Sequence, residues 1–372
     1  MWVASFMVAI LVVIGAVGLF GSVTKSVHGA GFFGRPGMRP DMWSMAIRQW
    51  KTSPWFGTGS RSYEYYSRKY RPATHAWAGS SDQEAVFAHN EVLQLGAEYG
   101  SAGVGLLLFA AGAHFVRGLL LLKNDDEVPW QVVGALCALC AISVHTLFDF
   151  NLHIGANAVF VAVCFGILGQ SRRAQKGIPS PIVASVLGFA SCFMIYQAST
   201  GAVESEIEGW KARRAALDGE FLLAVGLYRV AEEHDPSNYN WSISKGNCYR
   251  IMGNSEDLAR LSEAWIGSAI GAFENAASLY PQSLRANLSL AQLYSETGDY
   301  EQAEGKYQNA MEWAPTFRKL LISYGDHQAR FGRYPEALKC YRDAIQMNLY
   351  GPEKKSLLIL IRDLEKVVNP QE

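Results

Sequence analysis

His89 lies in the stretch Phe87-Ala88-His89-Asn90-Glu91-Val92-Leu93-Gln94-Leu95-Gly96-Ala97-Glu98-Tyr99-Gly100, and residues 101–122 beyond it are almost free of charge. Imidazole has an unperturbed pKa near neutrality, so it can take or return a proton at operating pH. Upstream, Arg39-Pro40-Asp41-Met42-Trp43-Ser44-Met45-Ala46-Ile47-Arg48-Gln49-Trp50 brings guanidinium groups and indole rings together. Guanidinium binds phosphate through paired hydrogen bonds, and aromatic faces stack on sugars. An imidazole and arginines at a water–lipid edge stand where a lipid-linked donor can meet a soluble acceptor. The candidate residues by type and place are His89 and Arg39. Arg48, Trp43, Glu98, Arg61 and His145 are candidates for substrate binding.

Each has a plainer reading. Asn90 can cap the following helix while His89 merely sits at the interface, and Arg39 can snorkel to a lipid phosphate. Glu98 can pair with a loop arginine or mark a helix mouth. His145, Asp149 and His153 are spaced by four and share a face if a helix persists through them, as a metal site needs; an outer-surface turn is the alternative. No metal cluster is apparent, and no cofactor is expected.

These residues need a membrane to position them. Charges gather in 25–99 and 204–372, and five stretches between or before them approach the length of about 20 apolar residues that crosses a bilayer. They are 2–20, 101–122, 130–148, 154–168 and 182–196. The first lacks the basic leader and small-residue cleavage site of a signal peptide, so it is expected to span. The basic connector Ser171-Arg172-Arg173-Ala174-Gln175-Lys176 favours the cytoplasmic side. Residues 123–128 then share that side, and 25–99 and the C-terminal third face outward. The outer loop is rich in Lys and Arg, but loops this long are largely exempt from the charge rule. Cys137, Cys140, Cys164 and Cys192 are read as apolar packing residues. Pairing of Cys248 with Cys340 stays open.

The C-terminal third repeats. Gly298-Asp299-Tyr300-Glu301-Gln302-Ala303 recurs 34 residues later as Gly332-Arg333-Tyr334-Pro335-Glu336-Ala337, with Tyr307 and Ala310 matched by Tyr341 and Ala344. Gly219, Phe221, Ala224, Tyr228, Ala231 and Pro236 keep the offsets of Gly298, Tyr300, Ala303, Tyr307, Ala310 and Pro315. Gly253 falls 34 after Gly219 and 45 before Gly298, which predicts an insertion of about eleven residues. The period and small residues resemble the tetratricopeptide repeat, in which each helix pair buries its apolar face against a neighbour. Four units over about 205–353, with a polar cap, are expected. The chain as a whole is expected to be all-α, with about five membrane helices and a periplasmic α-solenoid. Its parts are a span in 1–24, a periplasmic loop in 25–99, a four-helix membrane region in 100–200 and a repeat domain in 204–372.

A second resemblance covers about residues 30–170. Arg39, Trp43, then Pro54, Gly57 and Gly59, then His89, Asn90, Leu93, Glu98, Gly100 and Gly103 stand in the order found in the O-antigen ligase and polymerase superfamily of membrane glycosyltransferases. The resemblance implies transfer of a glycan from an undecaprenyl-diphosphate carrier to an acceptor hydroxyl on the periplasmic face of a bacterial inner membrane. The acceptor is a growing glycan, lipid A-core or a protein. It implies that His89 handles the hydroxyl proton and that Arg39 steadies the departing diphosphate; Arg48 is added on charge and helical proximity. The partners implied are membrane lipid, the lipid-linked donor and a protein held by the repeats; no nucleic acid is expected. Members carry more helices ahead of the loop, so a longer parent chain or a completing partner is expected. The competing expectation is a non-catalytic anchor displaying the repeats to an envelope or polysaccharide assembly.

Overall fold

The computed structural model describes residues 38–72, 85–123, 129–169, 181–256, 259–347 and 351–368. Every regular element among them is helical. The expected span at 2–20, most of the connectors at 123–128 and 171–176, and Trp77, Asp82 and Glu84 of the loop lie outside the described residues. The chain forms two units, one of Met1–Gly177 and Met347–Tyr350, the other comprising Ile178–Gln346 and Gly351–Glu372.

In the first unit, helix α1 (Met38–Thr52) and the short α2 (Tyr63–Lys69) pack against the start of α3 (Glu91–Lys123). Pro40 stands in the first turn of α1, where its missing N–H costs no helical hydrogen bond. Met42, Met45, Ala46, Tyr63, Ala88 and Ala97 form the core here, with Trp43, Tyr70 and Leu93 at its edge. The inward face of α1 is not the Trp43/Ala46/Ile47/Trp50 stripe that its sequence offers at helical spacing. Met42, Met45 and Gln49 are buried beside Ala46, and Ile47 is exposed, so the helix is rotated by about one residue.

Gly100 breaks α3 with φ 69° and ψ −169°, giving a short arm over 91–99 and a long apolar arm after it. The break is locked by the Pro-x-x-Gly-x-Gly turn. Ser101 and Ala102 N–H donate to the carbonyls of Pro54 and Trp55, and Thr58 and Gly59 N–H donate to those of Ala97 and Glu98. A Cβ on Gly100 would stand 2.4 Å from the Trp55 carbonyl oxygen, and one on Gly57 2.3 Å from that of Glu98. Only glycine permits both the backbone angles and this approach.

α4 (Trp130–His145) and α5 (Gly155–Leu168) pack on the long arm through Leu121, Val132, Leu136, Leu139, Cys164 and Leu168. Of the described helices, α3 alone is long and apolar enough to cross a membrane. α4 and α5 are apolar but have 16 and 14 residues, about 24 and 21 Å against a core of about 30 Å. Among the described residues one of the five expected spans is therefore shown; the 130–148 stretch stops being helical at His145, 182–196 is part of a longer helix, and 2–20 lies outside the described residues.

That helix, α6 (Pro181–Leu217), opens the second unit, and α7 (Phe221–His234), α8 (Tyr239–Ser255), α9 (Ala259–Leu279), α10 (Leu284–Glu296), α11 (Tyr300–Trp313), α12 (Arg318–Arg330), α13 (Tyr334–Gln346) and α14 (Gly351–Val368) follow. Successive helices pack in pairs, α6 with α7, α8 with α9, α10 with α11 and α12 with α13. The repeated Ala-Tyr-Ala sets (224/228/231, 303/307/310, 337/341/344) are all buried, and Gly219, Gly298 and Gly332 turn the chain with positive φ. Gly253 does not. It lies near the end of α8 against Ile266, so it is a packing glycine rather than the turn of a unit. That repeat is keyed instead by Ala269, Phe273 and Ala276, all fully buried. Its extra length sits in α8 and α9, which exceed α10 and α11 by four and seven residues. All six cysteines are unpaired, and burial pushes the Cys248 and Cys340 thiols up to about 11.

Candidate functional site

Three segments meet at the head of α3: the first turn of α1, residues 85–98, and the turn linking α4 to α5. Asn90 joins two of them. Its Oδ1 accepts from Leu93 N–H, capping α3, and its Nδ2 donates to the Leu147 carbonyl at 2.9 Å. Glu91 N–H donates to the Thr146 carbonyl at 2.8 Å, and the Glu91 carboxylate accepts from Leu152 N–H at 2.7 Å. The capping role expected of Asn90 thus exists, and the same side chain holds a distant turn in place.

That turn carries Asp149, whose Oδ1 lies 3.0 Å from His89 Nδ1. The His89 ring is flanked edge-on by Phe150, itself stacked on Phe87. His89 has φ 51°, a left-handed conformation uncommon for a side-chain-bearing residue and frequent at working sites. The angle is sustained by its neighbours: Trp43 Nε1 donates to the His89 carbonyl at 3.4 Å, and Ala88 N–H to Gln94 Oε1 at 2.9 Å. Arg39 Nη1 donates to the Phe148 carbonyl at 2.7 Å, one residue before Asp149. Burial by itself raises the Asp149 carboxyl. The Phe150 N–H, the hydrogen bond and charge of His89, and the Arg39 charge outweigh it and hold the group below its ordinary value.

Beside this pair runs a second polar chain. Glu98, buried, accepts from Arg61 N–H at 3.0 Å and Tyr63 N–H at 3.3 Å, and Gln94 Nε2 reaches toward both Glu98 and His153. His153 Nδ1 is 3.1 Å from the Glu91 carboxylate. The Glu91 hydrogen bond raises His153 against the opposing effect of burial, with the charges of Glu91 and Glu98 adding and that of Arg61 subtracting.

The candidate residues divide accordingly. Arg39, Trp43 and His89 come together. Glu98 turns inward and holds the 59–63 turn through the backbone N–H groups of Arg61 and Tyr63. Arg61 has φ 57° and an exposed side chain near His153. Arg48 is exposed and lies nine residues from Arg39, about two and a half turns, which puts it on the other side of α1. His145 is exposed at the end of α4; the chain then turns, so His145, Asp149 and His153 share no helix face. Among the described residues no group of three or more His, Cys, Asp or Glu could hold a metal ion. The part played by Asp149 was hidden by its distance of 60 residues from His89 in sequence. The available signal was topological, since both ends fall on the same expected side of the membrane.

Residues 1–110 match the family model described as O-antigen ligase, and residues 266–305 match that described as tetratricopeptide repeat. No curated protein matches the chain. Among solved structures, a thermophilic TPR protein from Thermus thermophilus is 16% identical with TM-score 0.38, over 57% of this chain and 95% of that one. A human IFIT1 dimer with PPP-AAAA is 18% identical with TM-score 0.40, over 73% and 64%. The chain therefore carries an O-antigen ligase domain at residues 1–110 and a tetratricopeptide repeat at residues 266–305.

Proposed function

We propose that the chain acts in a membrane glycosyltransferase of the O-antigen ligase or polymerase type, moving a glycan from an undecaprenyl-diphosphate carrier to an acceptor hydroxyl at the periplasmic face of a bacterial inner membrane. The observation that carries this reading is the His89–Asp149 pair with Arg39 bonded to the same turn. A carboxylate held ionised accepts the proton of Nδ1, which fixes the tautomer and leaves the Nε2 lone pair to act as base. The acceptor hydroxyl gives its proton to Nε2 as its oxygen bonds the anomeric carbon. The bond from that carbon to the phosphate oxygen breaks, and its electrons leave on the diphosphate. The Arg39 charge opposes the charge growing there. The acceptor is a glycan, lipid A-core or protein hydroxyl, and the repeats supply a surface for a protein partner.

The repeat solenoid also favours a second reading, a tethered scaffold without chemistry. Replacing His89 and Arg39 by alanine in the full-length parent and profiling surface polysaccharide separates the two. Loss of glycan transfer with the protein still in the membrane supports the enzyme. Unchanged polysaccharide with both side chains removed leaves only the scaffold.

A further inference from the structure

Helix α6 has two opposite working faces. One turns inward: Ser205 Oγ donates to the Ala231 carbonyl and accepts from Trp241 Nε1, Gly209 receives the Trp241 ring, and Ala212 and Ala215 are buried. On the other side Val203, Ile207, Trp210 and Leu217 are exposed, and so are Phe189, Phe193 and Tyr196 farther up the helix. Thr200 and Arg214 occupy the remaining positions of the row, whose steps alternate four and three from 189 to 217. A straight helix drifts about 20° per heptad from such a pattern. A row kept to 3.5 residues over about four heptads is therefore set for a partner helix that supercoils with it.

We infer that this row is the seam of a parallel two-helix interface with a second copy of the chain. Lipid does not account for it: Trp210 and Leu217 lie about 21 and 32 Å along the axis beyond Tyr196, where the apolar 182–196 stretch ends. Two copies in one membrane run α6 in the same direction. In the parallel register, Val203, Trp210 and Leu217 fall at d and Ile207 and Arg214 at a. The flanking charges then complement across the pair: Glu206 (g) faces Lys211 (e) of the second copy, and Arg213 (g) faces its Asp218 (e). Within one chain these groups make only exposed contacts free to exchange, Lys211 with Glu208 at 2.6 Å, Arg213 with Glu206 at 3.9 Å and Arg214 with Asp218 at 3.3 Å. Arg213 also lies over the Trp241 ring. A single charged residue at a, Arg214, suits a two-stranded seam with a fixed register.

The test is oxidative cross-linking of the full-length chain in membranes, in a C192S background. Ile207→Cys places a thiol in the seam, and Ala202→Cys places one on an exposed position outside it. The expected result is a disulfide-linked dimer from I207C and at least about tenfold less from A202C, since only a and d positions face each other across a seam. Adding Glu206→Lys should lower the I207C dimer about tenfold, and Lys211→Glu on top of it should restore the dimer. No dimer from I207C, equal linkage at both positions, linkage to a protein of another mass, or indifference to the charge exchange overturns the inference.

Discussion

His89 Nδ1 and Asp149 Oδ1 lie 3.0 Å apart although 60 residues separate them in sequence. Asp149→Asn keeps the shape of this contact but turns the acceptor into a donor, which moves the imidazole proton to Nε2 and removes the base. Transfer measured with a lipid-diphosphate donor and a defined acceptor is expected to fall about 10²–10⁴-fold in kcat, with KM for the donor little changed. A rate within a factor of two of the parent's would show that the pair does not handle the proton.

His153 predicts a pH effect of definite sign. Its folded pKa is raised, chiefly by the Glu91 hydrogen bond. The stabilisation it contributes is complete below its ordinary value of about 6.5 and is lost as pH rises through the higher folded value. Relative to His153→Gln, the melting temperature of the full-length chain should therefore decline from slightly acidic to mildly alkaline pH. In His153→Gln that part of the slope should vanish. An identical pH slope in parent and variant refutes the assignment.

Gly100 and Gly57 should resist replacement. Alanine at either must adopt a positive φ and place Cβ within 2.4 Å of the facing backbone. The combined cost of the backbone angle and of overpacking is about 2–5 kcal/mol. Thermal melting of G100A and G57A is expected to show large losses, while Gly59→Ala, with open space around its Cβ, should be milder.

Much of the second unit could be read from sequence because its contacts are local and periodic: an Ala-Tyr-Ala triad that recurs, at 303/307/310 and again 34 residues on at 337/341/344, specifies a buried face without reference to anything distant. Where phenylalanine stands in place of tyrosine, at Phe273, the register is hidden, and the sequence points to Gly253 as a turn that the structure does not make there. In the first unit, the apolar arm after Gly100 was legible from hydropathy and the grouping of His89 with Arg39 from motif order. Two things were not. One is where the 130–148 stretch leaves the helix: an outer-surface turn over 145–153 is among the expected readings, but apolar continuity through residue 148 hides that α4 stops at His145. The other is Glu98, expected to bind substrate, pair with a loop arginine or mark a helix mouth, because nothing in the chain between 59 and 63 announces backbone donors aimed at it. Long-range polar contacts leave no periodic trace, and the site is built from them.

Gly325 offers a prediction whose sign depends on its neighbour. In α12 it receives the Tyr341 ring, and an added Cβ would stand 2.4 Å from Tyr341 Cε1. The positions 34 residues before them in the repeat are Ala291 and Tyr307, both buried in one cluster, so a methyl group there is compatible with the fold when the helices pack slightly farther apart. Gly325→Ala gains about 1 kcal/mol of helix propensity but forces the ring to shift at a cost of about 1–3 kcal/mol. The net expectation in the parent is a modest loss, read by urea denaturation of the full-length chain followed through helical signal. In a Tyr341→Leu background the ring is gone and the same substitution should stabilise. If Gly325→Ala stabilises the parent as much as it does the Tyr341→Leu variant, close packing of this ring on the glycine does not limit the pairing of α12 with α13.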